Sequence, residues 1–138
     1  YTLYAVLYDP YEQVVDDSAN ITLIVKLCPL FRIVDVEPPE VKTAPGSIFT
    51  VTACVKNEGA EGDVKLRLVN PEGEIEDESG WIHLLTEEKK CVDLYGTAPL
   101  GLGVTADYQI QAVKLLNGQE YVDDVYVLKV KTFVYVPR

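Results

Sequence analysis

The residues of this sequence that could do chemistry are few, and none of them forms a catalytic pattern. His83 is the only histidine and lies in the run Trp81-Ile82-His83-Leu84. No Ser-His-Asp or Cys-His spacing surrounds it, and one imidazole does not make a metal site without distant partners. We therefore expect a structural role for His83, no enzymatic activity and no cofactor.

Carboxylates are the one abundant class of reactive group. Acidic residues crowd into positions 72–78, and the pairs Asp16-Asp17 and Asp123-Asp124 each follow a valine. Calcium takes six to eight oxygen ligands, which adjacent loop carboxylates can supply in part. Asp16, Asp17, Asp123 and Asp124 are therefore weak calcium candidates. The alternative is that all these carboxylates are solvated, because no D-x-D-x-D-G loop is present.

The charge balance excludes two classes of partner. Lys and Arg number 12 and Asp and Glu number 22, so the net charge is 12 − 22 = −10. Nucleic acids and anionic membranes recruit clusters of Lys and Arg, which this chain lacks. No apolar stretch approaches the ~18 residues that a membrane span requires. We expect neither nucleic-acid binding nor membrane insertion.

The elements that must position these residues are strands. The chain is 48% hydrophobic and contains nine Tyr and no Met. Residues 47–57 alternate apolar and polar side chains, as a half-buried strand does. Pro38-Pro39 interrupts an earlier strand, and Asn117-Gly118 marks a hairpin. About seven short strands over residues 31–135 predict an antiparallel β-sandwich.

A sequence repeat links the two ends of the chain. Residues 1–17 match residues 108–124 without a gap at a shift of 107 positions, including Tyr1 with Tyr108 and Val15-Asp16-Asp17 with Val122-Asp123-Asp124. A period of this length is that of one sandwich domain. The lack of Met and the strand pattern at Tyr1 lead us to expect a processed or excised chain.

The matching N-terminal segment has no complete domain before it. We divide the chain into an N-terminal two-strand segment, residues 1–29, and a sandwich, residues 30–138. An isolated hairpin is marginally stable, so its apolar positions need further protein to cover them. We expect burial, and hence self-association, at Leu3, Ala5, Leu7, Ile21, Leu23, Val25 and Leu27. The segment is the closing hairpin of a preceding repeat, strands donated to a neighbouring subunit, or extra strands of its own domain.

Residues 37–73 carry a family resemblance. The sequence EPPEVKTAPGSIFTVTACVKN, followed by EGAEGDVKLRLVNPEG, resembles extracellular CARDB-type and related immunoglobulin-like domains. The shared features are Pro45-Gly46, the Val-x-Asn-x-Gly motif at residues 55–59, and the alternating strand at residues 64–68. The resemblance implies an immunoglobulin-like sandwich at a cell surface, and it implies no catalytic residues.

That strand order also predicts a cross-strand disulfide. In an immunoglobulin-like sheet the strands that hold Cys54 and Cys91 are neighbours, and both cysteines lie on the polar side. Bonded on the outer face, they would close a loop whose constraint contributes about 3–4 kcal/mol. The alternative is two free thiols. Cys28 is left free or available to another chain.

Other features bear on the location and the ligand. Asn20-Ile21-Thr22 is a glycosylation sequon, which fits a surface protein. Trp81 and the tyrosines raise the alternative of carbohydrate stacking, although tyrosine is also a good strand former. We expect a non-catalytic structural or adhesive subunit of an extracellular filament, stalk or surface layer that assembles head to tail. A viral decoration or fibre protein on a virion surface and a carbohydrate-binding accessory module are the alternatives.

Overall fold

The computed structural model describes residues 28–133, and over this range the chain is all β. It forms nine strands: β1 Phe31–Glu37, β2 Glu40–Thr43, β3 Ile48–Asn57, β4 Gly62–Val69, β5 Ile75–Glu78, β6 Ile82–Leu84, β7 Lys89–Thr97, β8 Thr105–Leu116 and β9 Gln119–Thr132. No helix capable of crossing a membrane occurs among these residues.

The strands pack as two sheets. One sheet has three strands in the order β1-β3-β7, and the other has six, with β2-β9-β8-β4-β5 in a row and β6 paired to β4. All pairs are antiparallel except β2 and β9, which run parallel. The predicted antiparallel immunoglobulin-like sandwich is thus confirmed.

The strand number exceeds the seven predicted because two segments divide. Pro38 and Pro39 lack the N–H donors that would continue a ladder, so the chain leaves the three-stranded sheet after β1 and joins the other sheet as β2. The segment after Gly73 makes two short strands, β5 and β6, which both pair with β4. Short and interrupted strands at a sheet margin limit pairing with other chains.

The core lies between the inner faces of the two sheets. Alternation along β3 buries Phe49, Val51, Ala53 and Val55, as the sequence pattern predicts. Burial of each large side chain stabilises the fold by about 1.5–3 kcal/mol. The ring of Phe49 meets that of Tyr108 edge-on, with centroids 5.5 Å apart. Residues 28–133 therefore contain a closed core of their own, with their own closing hairpin, β8 and β9.

The turn of that hairpin follows from its sequence. Asn117 and Gly118 have φ angles of 54° and 76°. Two successive positive φ values make the type I′ turn that the twist of a hairpin favours, and Asn-Gly is the pair that adopts them most easily.

Candidate functional site

His83 is held between two carboxylates on the surface. Its Nδ1 lies 2.8 Å from Asp63 Oδ1, and its Nε2 lies 2.9 Å from Glu61 Oε2. The hydrogen bond to Asp63, followed by the one to Glu61, raises the pKa of His83 above its ordinary value of 6.5. Because both ring nitrogens are engaged on opposite sides, the imidazole has no nitrogen left to act as a base or a metal ligand. Its contact with Asp63 joins β6 to β4.

Asp123 and Asp124 bind the first strand of the sandwich. The N–H of Phe31 donates to Asp123 Oδ2 at 2.8 Å, and the N–H of Ile33 donates to Asp124 Oδ2 at 2.9 Å. The register between β8 and β9 shifts at Ala112/Val113, which places Asp123 in a bulge. The bulge turns both carboxylates towards β1, the edge strand of the other sheet. Lys114 Nζ lies 3.1 Å from Asp123 Oδ1 and balances part of the charge.

A second carboxylate pair accepts backbone N–H groups at the opposite edge of the three-stranded sheet. The N–H of Tyr95 in β7 donates to Asp77 Oδ2 at 3.0 Å, and the N–H of Thr97 donates to Glu76 Oε1 at 2.9 Å. Glu76 and Asp77 belong to β5 of the six-stranded sheet. In the sequence they belong to the acidic run at residues 72–78. Only their position beside the edge of β7 indicates that they accept backbone N–H groups.

We call these four side chains the carboxylate caps: Glu76, Asp77, Asp123 and Asp124. Each pair accepts from N–H groups two residues apart, which are the donors that an edge strand directs outwards. Hydrogen bonds from N–H groups to carboxylates are among the stronger ones in proteins. The caps therefore engage two outward N–H groups of β1 and two at the C-terminal part of β7, which limits pairing with a further strand there.

The calcium prediction finds no site in the described part of the chain. Residues 28–133 hold no group of three or more His, Cys, Asp or Glu side chains placed to bind a metal ion. Asp123 and Asp124, the two candidates that are described, each accept a backbone N–H instead. Asp16 and Asp17 lie outside the described residues, as do Asn20 and the expected assembly positions Leu3, Ala5, Leu7, Ile21, Leu23, Val25 and Leu27.

Cys54 and Cys91 face each other across β3 and β7. They are direct partners in the register of the two strands, and their sulfurs are bonded at 1.99 Å. The bond lies on the outer face of the three-stranded sheet, because Ala53 and Val55 on either side of Cys54 point into the core. Cys28 is a free thiol with an exposed side chain.

The start of the sandwich is organised by the Val-x-Asn-x-Gly motif. The side chain of Asn57 is fully buried, and its Nδ2 donates to the carbonyls of Ala60 at 2.8 Å and Leu84 at 3.1 Å. Its Oδ1 accepts from the N–H groups of Gly59 at 2.9 Å and Leu30 at 3.3 Å. All four hydrogen-bonding positions of this amide are thus filled.

The entering chain passes directly over Gly59. A Cβ atom at Gly59 would overlap the carbonyl oxygen of Cys28. That oxygen accepts from the N–H of Ala60 at 3.0 Å, and Pro29 is buried. Cys28 and Pro29, which the sequence places in the N-terminal segment, are therefore part of the sandwich.

The chain enters and leaves the sandwich at opposite ends. We define the entry end as Cys28 with the turns at residues 58–61, 85–88 and 117–118. The exit end consists of the loops at residues 44–47 and 98–104 together with Phe133, since Gly46 N–H donates to the carbonyl of Pro99 and Thr132 N–H to that of Val104. Between the two ends β9 spans 14 residues, or about 45 Å.

The exit end carries exposed apolar side chains. Leu100 is 85% exposed, Leu102 64%, Val104 37% and Phe133 49%. Leu100 and Val104 also line an open cavity of ≈ 460 Å³ beside Pro71. Side chains of this kind, adjacent at one end of the molecule, are typical of a contact surface.

The exposed aromatic residues do not share one face. Trp81 lies beside β4 in the six-stranded sheet, where Lys65 Nζ sits 4.8 Å from its ring centroid. Tyr95 lies on β7 in the three-stranded sheet. A glycan-stacking platform needs aligned rings, and the positions of these two side chains do not support one.

Comparison with known proteins identifies the fold. No family model and no curated protein sequence matches this chain. Solved structures do match it, among them two domains that are covered almost whole. One is a domain of a candidate cell surface protein of Methanosarcina acetivorans, with a TM-score of 0.57 and 19% identity over 78% of this chain and 94% of that domain.

The other is a CARDB domain of Pyrococcus furiosus, solved in complex with di-metal ions. Its TM-score is 0.52 at 16% identity, covering 77% of this chain and 96% of that domain. The fold is CARDB-like. The immunoglobulin-like resemblance found in residues 37–73 is therefore confirmed for the fold.

Proposed function

We propose that this chain is a non-catalytic structural module of an extracellular assembly, in which like modules are joined head to tail. The observation that carries the proposal is the combination of a complete sandwich with a preceding segment whose sequence matches the closing hairpin. The entry and exit points at opposite ends suit a linear array.

The fold neighbours support the surface location. One of them is named as a candidate cell surface protein domain, and the other is a CARDB domain. The disulfide between Cys54 and Cys91 fits an oxidising compartment outside the cytoplasm. A glycan on Asn20 would suit the same setting.

Apart from Cys28, which is a free thiol, the candidate reactive groups of the described residues have structural partners. His83 is engaged by two carboxylates, and the carboxylate caps are engaged by backbone N–H groups. Cys54 and Cys91 are bonded to each other. This distribution supports a module that binds through its surface and does not carry out a reaction.

The carboxylate caps favour one origin for residues 1–27. A donated strand needs an open sheet margin or a missing strand in its acceptor. In residues 28–133 the closing hairpin is already present, and the carboxylate caps occupy part of each margin of the three-stranded sheet. We therefore assign residues 1–25 to the closing hairpin of a preceding module, whose core would bury Leu3, Ala5, Leu7, Ile21, Leu23 and Val25.

Labelling of intact source cells tests the surface location. A membrane-impermeant amine reagent should modify the lysines of this protein before lysis, and a cytoplasmic protein in the same cells should stay unmodified. Labelling that occurs only after lysis would contradict the proposed function.

A further inference from the structure

The strongest unassigned feature of the described residues is the apolar exit end. Residues 99–104 contain no charged side chain, although the chain as a whole has a net charge of −10. Leu100 and Leu102 project from this loop, and Val104 and Phe133 lie beside them. Exposing two leucines at a loop tip is unfavourable unless something covers them.

The sequence repeat gives the distance to the next module. Extending the shift of 107 positions matches Ile21 with Leu128 and Leu23 with Val130, both of which are core residues of β9. The last residue of β9, Thr132, then corresponds to position 132 − 107 = 25, which is Val25. In the repeat register, β9 of one module therefore ends three residues before Cys28 of the next.

That distance leaves almost no linker. Cys28 is fixed to the sandwich through its carbonyl group, so only residues 26 and 27 lie between the two modules. Three peptide units span at most about 11 Å. This is close to the spacing of about 10 Å between packed layers, so the two ends must meet.

We propose that the exit end of each module packs against the entry end of the next copy, with Leu100, Leu102, Val104 and Phe133 buried in the contact. The proposal rests on the head-to-tail array proposed above and adds its interface. The array is then a stiff rod, because a linker of two residues and a packed contact both restrict rotation between modules.

The entry end offers a surface that fits this partner. Leu85 is 55% exposed there and supplies apolar area. Beside it an open cavity of ≈ 320 Å³ is lined by Glu58, Gly59, Thr86 and Glu87. A leucine from a loop tip can fill such a cavity, with the glutamates at the polar margin.

A two-module chain tests the contact. Residues 1–134 of one copy are joined directly to residues 28–138 of a second, which keeps Phe133 in the first module and reproduces the repeat register, and Cys28→Ser is introduced in both copies. Leu102→Cys is then placed in either the first or the second module. The first has a following module and the second does not, so each serves as the control for the other.

The measured quantity is the rate of thiol modification in the folded chain. We expect Leu102→Cys to react about tenfold more slowly, or slower still, in the first module than in the second. Val127→Cys, on the exposed outer face of β9, should react equally fast in both positions. If Leu102→Cys lowers the melting temperature, Leu100→Cys replaces it in the same comparison.

Equal rates at position 102 in a folded two-module chain would overturn the interface. That result would leave the surface location, which intact-cell labelling tests, unaffected. A module found only inside the cell, with the rate difference present, would overturn the proposed function and leave the interface standing.

Discussion

The side chain of Asn57 contacts four backbone groups and has no exposed surface. Its partners come from the entering chain, the turn after β3 and the end of β6. A buried amide is stable only when its donors and acceptors are paired. Asn57 therefore fixes three segments at once, whereas the sequence alone predicts only a turn.

Gly59 allows a test of how tightly the entering chain is held. Gly59→Ala should lower the free energy of unfolding by about 2 kcal/mol or more, because the new Cβ meets the carbonyl oxygen of Cys28, a backbone atom that cannot move alone. Gly80→Ala is the matched control, since a Cβ there meets nothing within 4 Å. Urea unfolding of both variants measures the difference. Equal stability of the two would show that the chain enters by another path.

His83 predicts a pH dependence with a definite sign. Its pKa is raised in the folded state, so its contribution to stability is complete below the unfolded pKa of 6.5 and is lost as the pH rises through the folded-state pKa. His83→Gln should remove this slope. Because His83 is the only histidine, its imidazole NMR signal gives the pKa directly.

The contribution of His83 to stability is measured as the difference in melting temperature between the unmodified chain and His83→Gln. The melting temperature of the unmodified chain minus that of His83→Gln should be constant below the unfolded pKa of 6.5 and should fall as the pH rises through the raised folded-state pKa. A difference that stays constant, or an NMR titration below pH 6.5, would contradict the contacts with Asp63 and Glu61.

At the scale of elements, the carboxylate caps protect part of each margin of the three-stranded sheet. Edge strands expose rows of unpaired N–H groups that attract other chains. Here two acidic side chains from the facing sheet accept two of these N–H groups on each margin. The same contacts tie the two sheets together at both sides of the sandwich.

Removing one cap should weaken the fold and open β1. Asp124→Ala leaves the Ile33 N–H without its acceptor and should cost about 1–3 kcal/mol. Asp107→Ala is the matched control, because Asp107 is exposed and its carboxylate contacts Lys129, also exposed, at 3.0 Å. Hydrogen exchange at Ile33, together with urea unfolding, measures the effect. Unchanged protection of the Ile33 amide in Asp124→Ala would show that the carboxylate does not cap β1.

At the scale of the whole molecule, the sandwich and the N-terminal segment should behave differently. Residues 28–133 hold a closed core, and the apolar positions of the preceding segment are the ones we propose to be buried by another module. We expect the full chain to self-associate and a chain of residues 28–138 to remain monomeric. Sedimentation analysis measures the difference.

The melting temperature of the truncated chain is the control for this comparison. It should stay close to that of the full chain, because the truncation removes no described contact of the sandwich. Association of residues 28–138 at the same concentration would show that the sandwich itself, and not the N-terminal segment, drives assembly.

Much of this architecture was readable from local patterns. Alternation in β3 fixes which side chains enter the core, since successive side chains point to opposite faces. Asn117-Gly118 fixes the last turn, because both residues tolerate positive φ. Pro38-Pro39 fixes the break between β1 and β2, because proline has no N–H. The repeat of Val-Asp-Asp is likewise a property of the sequence.

The tertiary structure alone decided what the polar residues do. Asp123 and Asp124 were weak calcium candidates in the sequence, but a bulge in β9 and the position of β1 turn them into acceptors of backbone N–H groups. In the sequence Glu76 and Asp77 are part of an undivided acidic run, and only the fold places β7 beside them. A carboxylate binds whichever donor the fold brings within 3 Å, and residues 92 positions apart, such as Phe31 and Asp123, meet only when both sheets are complete. For the same physical reason the exposure of Leu100 and Leu102 at one end of the molecule became visible only in three dimensions.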